Sequence, residues 1–211
     1  MIEQEIGLRE RAYQIYYEAA EKLLRGEISS KEFAKEQAER YLQELEDSLT
    51  GLYGRKFFDQ AIIPLVAGAE RQKEPLSLIM LDLDDLKDIN DKYGHLVGDS
   101  TLKALGETVK DVIRRQSDIG VRYGGEEVAI VLPGTETKGA IKVATGLINA
   151  IREKEVTTEK GGIKFTASIG IASFEKGMTP EELIGKADKA LYRAKEKGKD
   201  RIEVYNKKPG E

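Results

Sequence analysis

The sequence predicts an α+β fold: a central, mainly antiparallel sheet wrapped by helices, with a helical extension at the N-terminus. Three observations carry that expectation. Strand-like and helix-like stretches mix without the strict alternation of a parallel βαβ sheet. Two glycine pairs, Gly124-Gly125 and Gly161-Gly162, each stand between β-type runs and read as hairpins. Leu76 to Leu83 is a continuous apolar run of strand length, bounded by Pro75 and by the acidic cluster Asp82, Asp84 and Asp85.

Composition bounds the function. The chain has 211 residues, 40% of them apolar, enough for one domain with a real core and an appendage. No apolar run reaches the roughly 18 residues of a membrane span. Met1 to Glu5 lacks the basic and apolar blocks of a signal peptide, so a soluble cytoplasmic protein is expected. With no cysteine, disulfides and thiolate zinc sites are excluded. With one histidine, His95, a metal would need oxygen ligands, which favours Mg2+ or Mn2+. The net charge of −4 argues against a nucleic-acid polymer as partner. The acidic excess lies in residues 1–47, and the nearly neutral remainder suits a small anion held by a few placed cations.

The elements follow in order. Leu8, Ala12, Ile15, Ala19 and Leu23 give residues 3–25 a helical face. Gly26 interrupts, Ser29 and Glu32 read as a capping box, and a second helix carries Ala34, Ala38, Tyr41 and Leu45. These two helices form either a hairpin on their own domain or a dimerising stalk. Gly51 to Gly54 marks the boundary, giving a helical region 1–47 and a main domain 48–211. Arg55 to Glu70 reads as a helix despite Pro64, and Leu86 to Tyr93 and Ser100 to Arg115 as two more. Asp118 to Tyr123 and Val128 to Leu132 are the arms of the first hairpin, followed by a helix from Lys138 to Glu153. Val156 to Thr158 and Gly162 to Ala172 form the second hairpin. Pro180 opens a helix running to Lys197, and Arg201 to Tyr205 closes as a short strand.

The chemistry concentrates at Arg122-Tyr123-Gly124-Gly125-Glu126-Glu127-Val128. The glycines allow a tight turn with positive φ. Adjacent carboxylates oppose joint ionisation, so the pair is either solvated or resolved by a bound cation. Asp82 leaves the strand end and would complete three carboxylates around one point, a hard-cation site by ligand type. Asp84 to Lys87 opens a helix whose free N–H groups form an anion cradle. Lys195 and Lys199 are either solvated helix-end cations or additional charge for phosphates. Neither a Gly-x-x-x-x-Gly-Lys loop nor a Gly-x-Gly-x-x-Gly is present.

Together these residues resemble the GGDEF-domain diguanylate cyclases over about residues 47–205. The resemblance rests on six ordered blocks: Asp47-Ser48-Leu49-Thr50-Gly51-Leu52, Asp82 through Asp91, Gly94-His95 with Gly98-Asp99, the glutamate-bearing turn, Ser168-Ile169-Gly170-Ile171-Ala172, and Ala187-Asp188 through Lys195 with Gly198. It implies a nucleotide-cyclase-like palm, related to the ferredoxin-like fold. The implied activity, used in bacterial signalling, condenses two GTP into cyclic di-GMP with release of two pyrophosphates. It further implies two Mg2+ (or Mn2+) per active site, held by Asp82, the Leu83 carbonyl and the signature carboxylates. Glu126 is the candidate base for the ribose 3′-hydroxyl and Glu127 the candidate metal ligand, with the two roles open to exchange. Asn90 and Asp99 align with the guanine-binding pair; Leu86, Lys87, His95, Gly124, Gly125, Lys195 and Lys199 align with other substrate-binding positions. One domain holds one GTP, so a homodimer is implied. Arg115 and Asp118 stand at the spacing of the family's product-inhibition motif. The alternative is a catalytically silent member that binds GTP or cyclic di-GMP as a receptor. The chain departs from the family pattern at Val128 and Leu86, where phenylalanine is usual, at Glu126 for aspartate, at Gly54 for asparagine and at Lys199 for arginine; none removes a required group.

Overall fold

The computed structural model describes residues 25–26, 29–30, 32–33, 35, 45–113, 115, 117–158 and 161–206. The chain divides into two compact units, Met1–Glu46 and Asp47–Glu211. The helical faces expected over 3–25 and 34–45 lie almost wholly outside the described residues. In the first unit the Ser29 capping box does form: the Ser29 N–H donates to Glu32 Oε2 at 2.7 Å, and the Glu32 N–H to Ser29 Oγ at 3.2 Å.

In chain order the second unit contains β1 (Tyr53–Gly54), α1 (Arg55–Gln72), β2 (Leu76–Leu83), α2 (Leu86–Tyr93) and α3 (His95–Val112). It continues with β3 (Ile119–Arg122), β4 (Glu127–Pro133), α4 (Thr137–Glu153), β5 (Glu155–Thr158) and β6 (Gly161–Lys164). The last elements are β7 (Ala167–Ser173), α5 (Pro180–Glu196) and β8 (Ile202–Val204). Six strands form one sheet of order β1-β3-β4-β2-β7-β8. β2 pairs antiparallel with β4 and β7, and β3 with β4, whereas β1 and β8 add parallel edges. The expected mainly antiparallel α+β sheet is what forms.

All eight residues of β2 are buried, because helices cover both faces of the sheet. Ile79, Leu81 and Leu83 pack with Leu105 and Val109 of α3 and Leu147 and Ile151 of α4. Leu76, Leu78 and Met80 pack with Phe58 and Ile62 of α1 and Leu183 and Leu191 of α5. The two-residue period of a strand then assigns the next position. Asp82 belongs to the α1/α5 face, and by the same parity so does Glu127 at the start of β4.

Three local expectations need correction. The helix expected from Ser100 begins at His95, because Gly94, at φ 88°, turns the chain directly from α2 into α3. That helix also ends early, at Val112, with Ile113 extended, so Arg115 is not helical. Gly162 to Ala172 is not one strand: β6 pairs with β5 in a separate two-stranded sheet, and β7 enters the main sheet. Between them Phe165 is buried in the core and the Thr166 hydroxyl donates to Asp84, which diverts the chain. Lastly, neither Gly124 nor Gly125 adopts positive φ. Pro180 does open α5, reinforced by a Thr179–Glu182 capping box that the sequence reading had not picked out. Among the described residues no helix is long and apolar enough to cross a membrane.

Candidate active site

The glutamate-bearing turn is held from outside itself. Tyr123 and Gly124 N–H groups donate to the Glu127 carbonyl at 2.8 and 3.3 Å, closing the hairpin. Arg122 folds over the turn, donating from Nε and Nη2 to the Gly125 carbonyl at 3.1 and 2.9 Å. Its remaining nitrogen, Nη1, reaches the Asp47 carboxylate at 3.0 Å. Asp47 also accepts from the Thr50 N–H and hydroxyl, each at 2.8 Å. Burial opposes charge on Asp47, yet Thr50 and the Arg122 guanidinium together hold its carboxyl below the ordinary value. A Cβ at Gly124 would stand 2.7 Å from Glu127 Oε2, the far end of a flexible side chain that can rotate aside, and a Cβ at Gly125 would meet nothing within 4 Å.

Sheet register brings the acids together. Asp82 on β2 pairs directly with Glu127 on β4, which places their Cβ atoms about 4.5–5.5 Å apart. The Leu83 N–H donates to the Glu126 carbonyl at 3.3 Å, tying the turn to the strand end. Asp82 is 6% exposed. Burial pushes its carboxyl up to about 6, with Glu126 and Glu127 adding to the rise and Lys195 opposing it. Lys195, from α5, places Nζ 2.8 Å from Asp82 Oδ2. Among the described residues no three acidic or histidine side chains stand close enough to hold a metal ion as a finished cage. Instead the Lys195 ammonium supplies the positive charge that this carboxylate takes. Asp188, one face along α5, also borders the cluster: burial, then the Glu127 charge, raises its carboxyl above the ordinary value.

The start of α2 forms the adjoining wall. Asp85 is its N-cap in the left-handed region, with no side-chain cap bond, and Leu86 is the buried first residue while Lys87 is exposed. Lys199 forms an ion pair with Asp85. Where α2 meets α3, the Asn90 Oδ1 is buried and has no hydrogen-bond partner, alone in this among the described residues. Gly98 makes room for it, since a Cβ there would lie 2.9 Å from Asn90 Cγ. Asp99 follows Gly98 and is exposed, as is His95 at the first position of α3.

Arg115 and Asp118 lie elsewhere. Arg115 Nη1 donates to Thr135 Oγ1 at 3.0 Å, beyond the far end of β4 from the turn. A seven-residue strand separates the two places by about 20 Å. The Asp118 N–H donates to the Arg115 carbonyl at 3.0 Å, so both side chains rise from one bend. Burial raises the Asp118 carboxyl, partly offset by the Arg115 charge. Gln116, between them, is outside the described residues.

Sequence reading thus selected most residues of this wall but missed their supports: Asp47, Arg122 and Asp188. Aspartates and an arginine inside matched blocks carry no local sign that they touch the turn.

The model of the family described as "Diguanylate cyclase, GGDEF domain" matches residues 44–201. The chain is 36% identical over 159 residues to diguanylate cyclase VdcA of Vibrio cholerae, covering 74% of this chain and 45% of that protein. It is 35% identical over 160 residues to diguanylate cyclase DosC of Escherichia coli, covering 75% of this chain and 35% of that protein. It thus spans about half or less of the length of these relatives. Among solved structures, the GGDEF domain of DgcB from Caulobacter crescentus in complex with c-di-GMP superposes with a TM-score of 0.75 at 26% identity, covering 78% of this chain and 94% of that one. The active GGEEF domain of a diguanylate cyclase from Vibrio cholerae superposes with a TM-score of 0.69 at 30% identity, covering 74% and 98%. Fold, ordered motifs and family match agree, and the chain belongs to the GGDEF diguanylate cyclase family.

Proposed function

We propose that this chain condenses two GTP molecules into cyclic di-GMP, releasing two pyrophosphates. The observation that carries the reading is the register of β2 against β4. It sets Asp82 beside Glu127, on the face from which α5 delivers Lys195. The donors at that point are all oxygen, and a cationic group already stands against them, so the residues fit a hard divalent cation such as Mg2+ or Mn2+. Asp82, the Leu83 carbonyl and the signature carboxylates would hold it, with two ions per site. When bound, they would neutralise charge on the α-phosphate and the leaving pyrophosphate.

The chain's own groups supply the rest. Glu126, tethered through its carbonyl to Leu83, is the candidate base that takes the 3′-hydroxyl proton, with Glu127 as the candidate metal ligand. With a cation held at Asp82, Lys195 would be free to meet the phosphates from α5, and Lys199, at the mouth of α2, would meet them with Leu86 and Lys87. The unpartnered Asn90 Oδ1 suits a donor on the guanine edge, and Asp99 accepts from its N1–H and amino group. A pocket built to satisfy such donors discriminates against adenine by about 10⁴ or more.

One domain carries one GTP, and the product has two equivalent phosphodiester links. Two copies must therefore face each other about a two-fold axis. Arg115 and Asp118 form a separate inhibitory site for cyclic di-GMP, the guanidinium gripping guanine or phosphate. Arg115→Ala would then relieve product inhibition, and unchanged inhibition would remove this part of the proposal.

Chromatography after incubation with GTP and Mg2+, comparing wild type with Glu126→Gln, tests the reading. Cyclic di-GMP from wild type alone supports it. GTP binding with no product from either protein would favour the silent-receptor alternative.

A further inference from the structure

The turn that carries Lys199 is held in an unusual shape by groups outside the motifs. Gly198, Lys199 and Asp200 have φ of 105°, 59° and 45°, three successive positive values of which two belong to residues with a Cβ. Such conformations persist only where the surroundings over-determine them, and they cluster at ligand clamps. Here the surroundings are explicit. The Asp200 N–H donates to Asp84 Oδ2 at 3.1 Å. The Asp200 carboxylate accepts Arg152 Nε at 2.9 Å on Oδ1 and 3.1 Å on Oδ2, and its carbonyl accepts Arg152 Nη2 at 2.9 Å. Asp200 is thus gripped from the junction of β2 and α2 on one side and from α4 on the other.

Asp84 itself is fixed. It is 4% exposed, and it accepts the Ser168 hydroxyl at 2.7 Å on Oδ1 and the Thr166 hydroxyl at 2.8 Å on Oδ2. Its neighbour Asp85, also left-handed at φ 57°, pairs with Lys199. Two strained corners therefore face each other across the entrance to α2, joined once by backbone and once by ion pair.

We propose that Arg152 and Asp84, acting through Asp200, are positioning residues that aim the Lys199 ammonium at the nucleotide phosphates. The inference rests on the reading of this wall as a nucleotide site. Arg152 is the informative member, because it touches none of the proposed substrate groups and its side chain is 44% exposed. An exposed ion pair of this kind contributes little to folding, so a purely structural Arg152 would show in a small change of stability that is independent of Lys199, and not in GTP affinity.

The test is a double-mutant cycle on Arg152→Ala and Lys199→Ala in the full chain. Its readouts are thermal unfolding and GTP binding by calorimetry with Ca2+ in place of Mg2+, so that no turnover is needed. Arg152→Ala is expected to weaken GTP binding about tenfold, as loss of a forked charge-assisted contact allows. It should leave the unfolding temperature nearly unchanged, and it should add no further loss once Lys199 is already alanine. Binding by Arg152→Ala equal to wild type would overturn the inference while leaving the nucleotide site intact. So would an equal loss in the presence and absence of Lys199. Failure of wild type to bind GTP at all would instead remove the underlying reading, and the inference with it.

Discussion

Gly170 allows helix α5, which carries Lys195 and Asp188, to lie directly on the backbone of β7. A Cβ at position 170 would stand 2.7 Å from Leu191 Cα, and closer still to the Leu191 amide nitrogen and the Ala187 carbonyl oxygen. All three atoms are main chain, so no side chain can rotate aside. The Leu191 amide nitrogen is the nearest of the three at 2.1 Å, so to restore ordinary contact at 3.4 Å α5 must retreat by about 1.3 Å, against the 1–3 kcal/mol typical of an added core methyl. Gly170→Ala is therefore expected near or above the top of that range, about 3 kcal/mol. For a domain of this size that lowers the unfolding temperature by about 6–12 °C, and GTP binding falls because Lys195 moves with its helix. Gly185→Ala is the control. Gly185 lies within α5 with nothing within 4 Å of its added Cβ, so alanine there should stabilise by about 0.5–1 kcal/mol. The same methyl group thus has opposite signs at two positions that touch one helix. Thermal unfolding of both variants decides the matter: a Gly170→Ala protein that melts with wild type would refute the packing argument, as would equal losses at the two sites.

Other predictions follow from the same geometry. Arg122→Ala frees the Gly125 carbonyl and leaves Asp47 with only its Thr50 donors, costing about 1.5–3 kcal/mol of stability and about ten- to a hundredfold in turnover as the turn loosens. A variant with wild-type kcat would show that the turn holds itself. Lys195→Met removes the ammonium that neutralises Asp82, so nucleotide-free protein should bind Mn2+ more tightly by electron paramagnetic resonance while GTP affinity falls; weaker Mn2+ binding contradicts the reading of Lys195 as a stand-in cation. Because burial lifts the Asp82 carboxyl to about 6, the folded state holds that proton over a pH range where the unfolded chain has lost it. In metal-free buffer the Asp82 site therefore contributes less stability as pH rises from about 4 to about 6. Asp82→Asn should gain on wild type across that interval and hold a constant difference above it. A difference that does not vary with pH would contradict the shift.

Much of this architecture is legible in the sequence because it is local. The apolar run Leu76–Leu83 is a strand at its expected bounds, Leu86–Tyr93 a helix at its own, and Pro180 opens α5 where its fixed φ permits. The family motifs likewise select the residues that register and helix packing bring together. Less legible is what depends on distant partners. Arg122 meets Asp47 across 75 positions, and Asp200 meets Asp84 across 116; no spacing rule links such pairs. The signature glycines suggest a turn with positive φ, but neither adopts it; the turn is closed by the Glu127 carbonyl and held from outside by Arg122. The second hairpin is shorter than its sequence suggests because Phe165 and Thr166, both compatible with a strand, are held by the core and by Asp84 instead.

The most direct test of the proposed activity is the initial rate of cyclic di-GMP formation from GTP and Mg2+ as a function of protein concentration. Two facing half-sites predict a rate that rises with the square of concentration when the chain is dilute and becomes linear once pairs form. No cyclic di-GMP at any concentration, in protein that still binds GTP, would contradict the account.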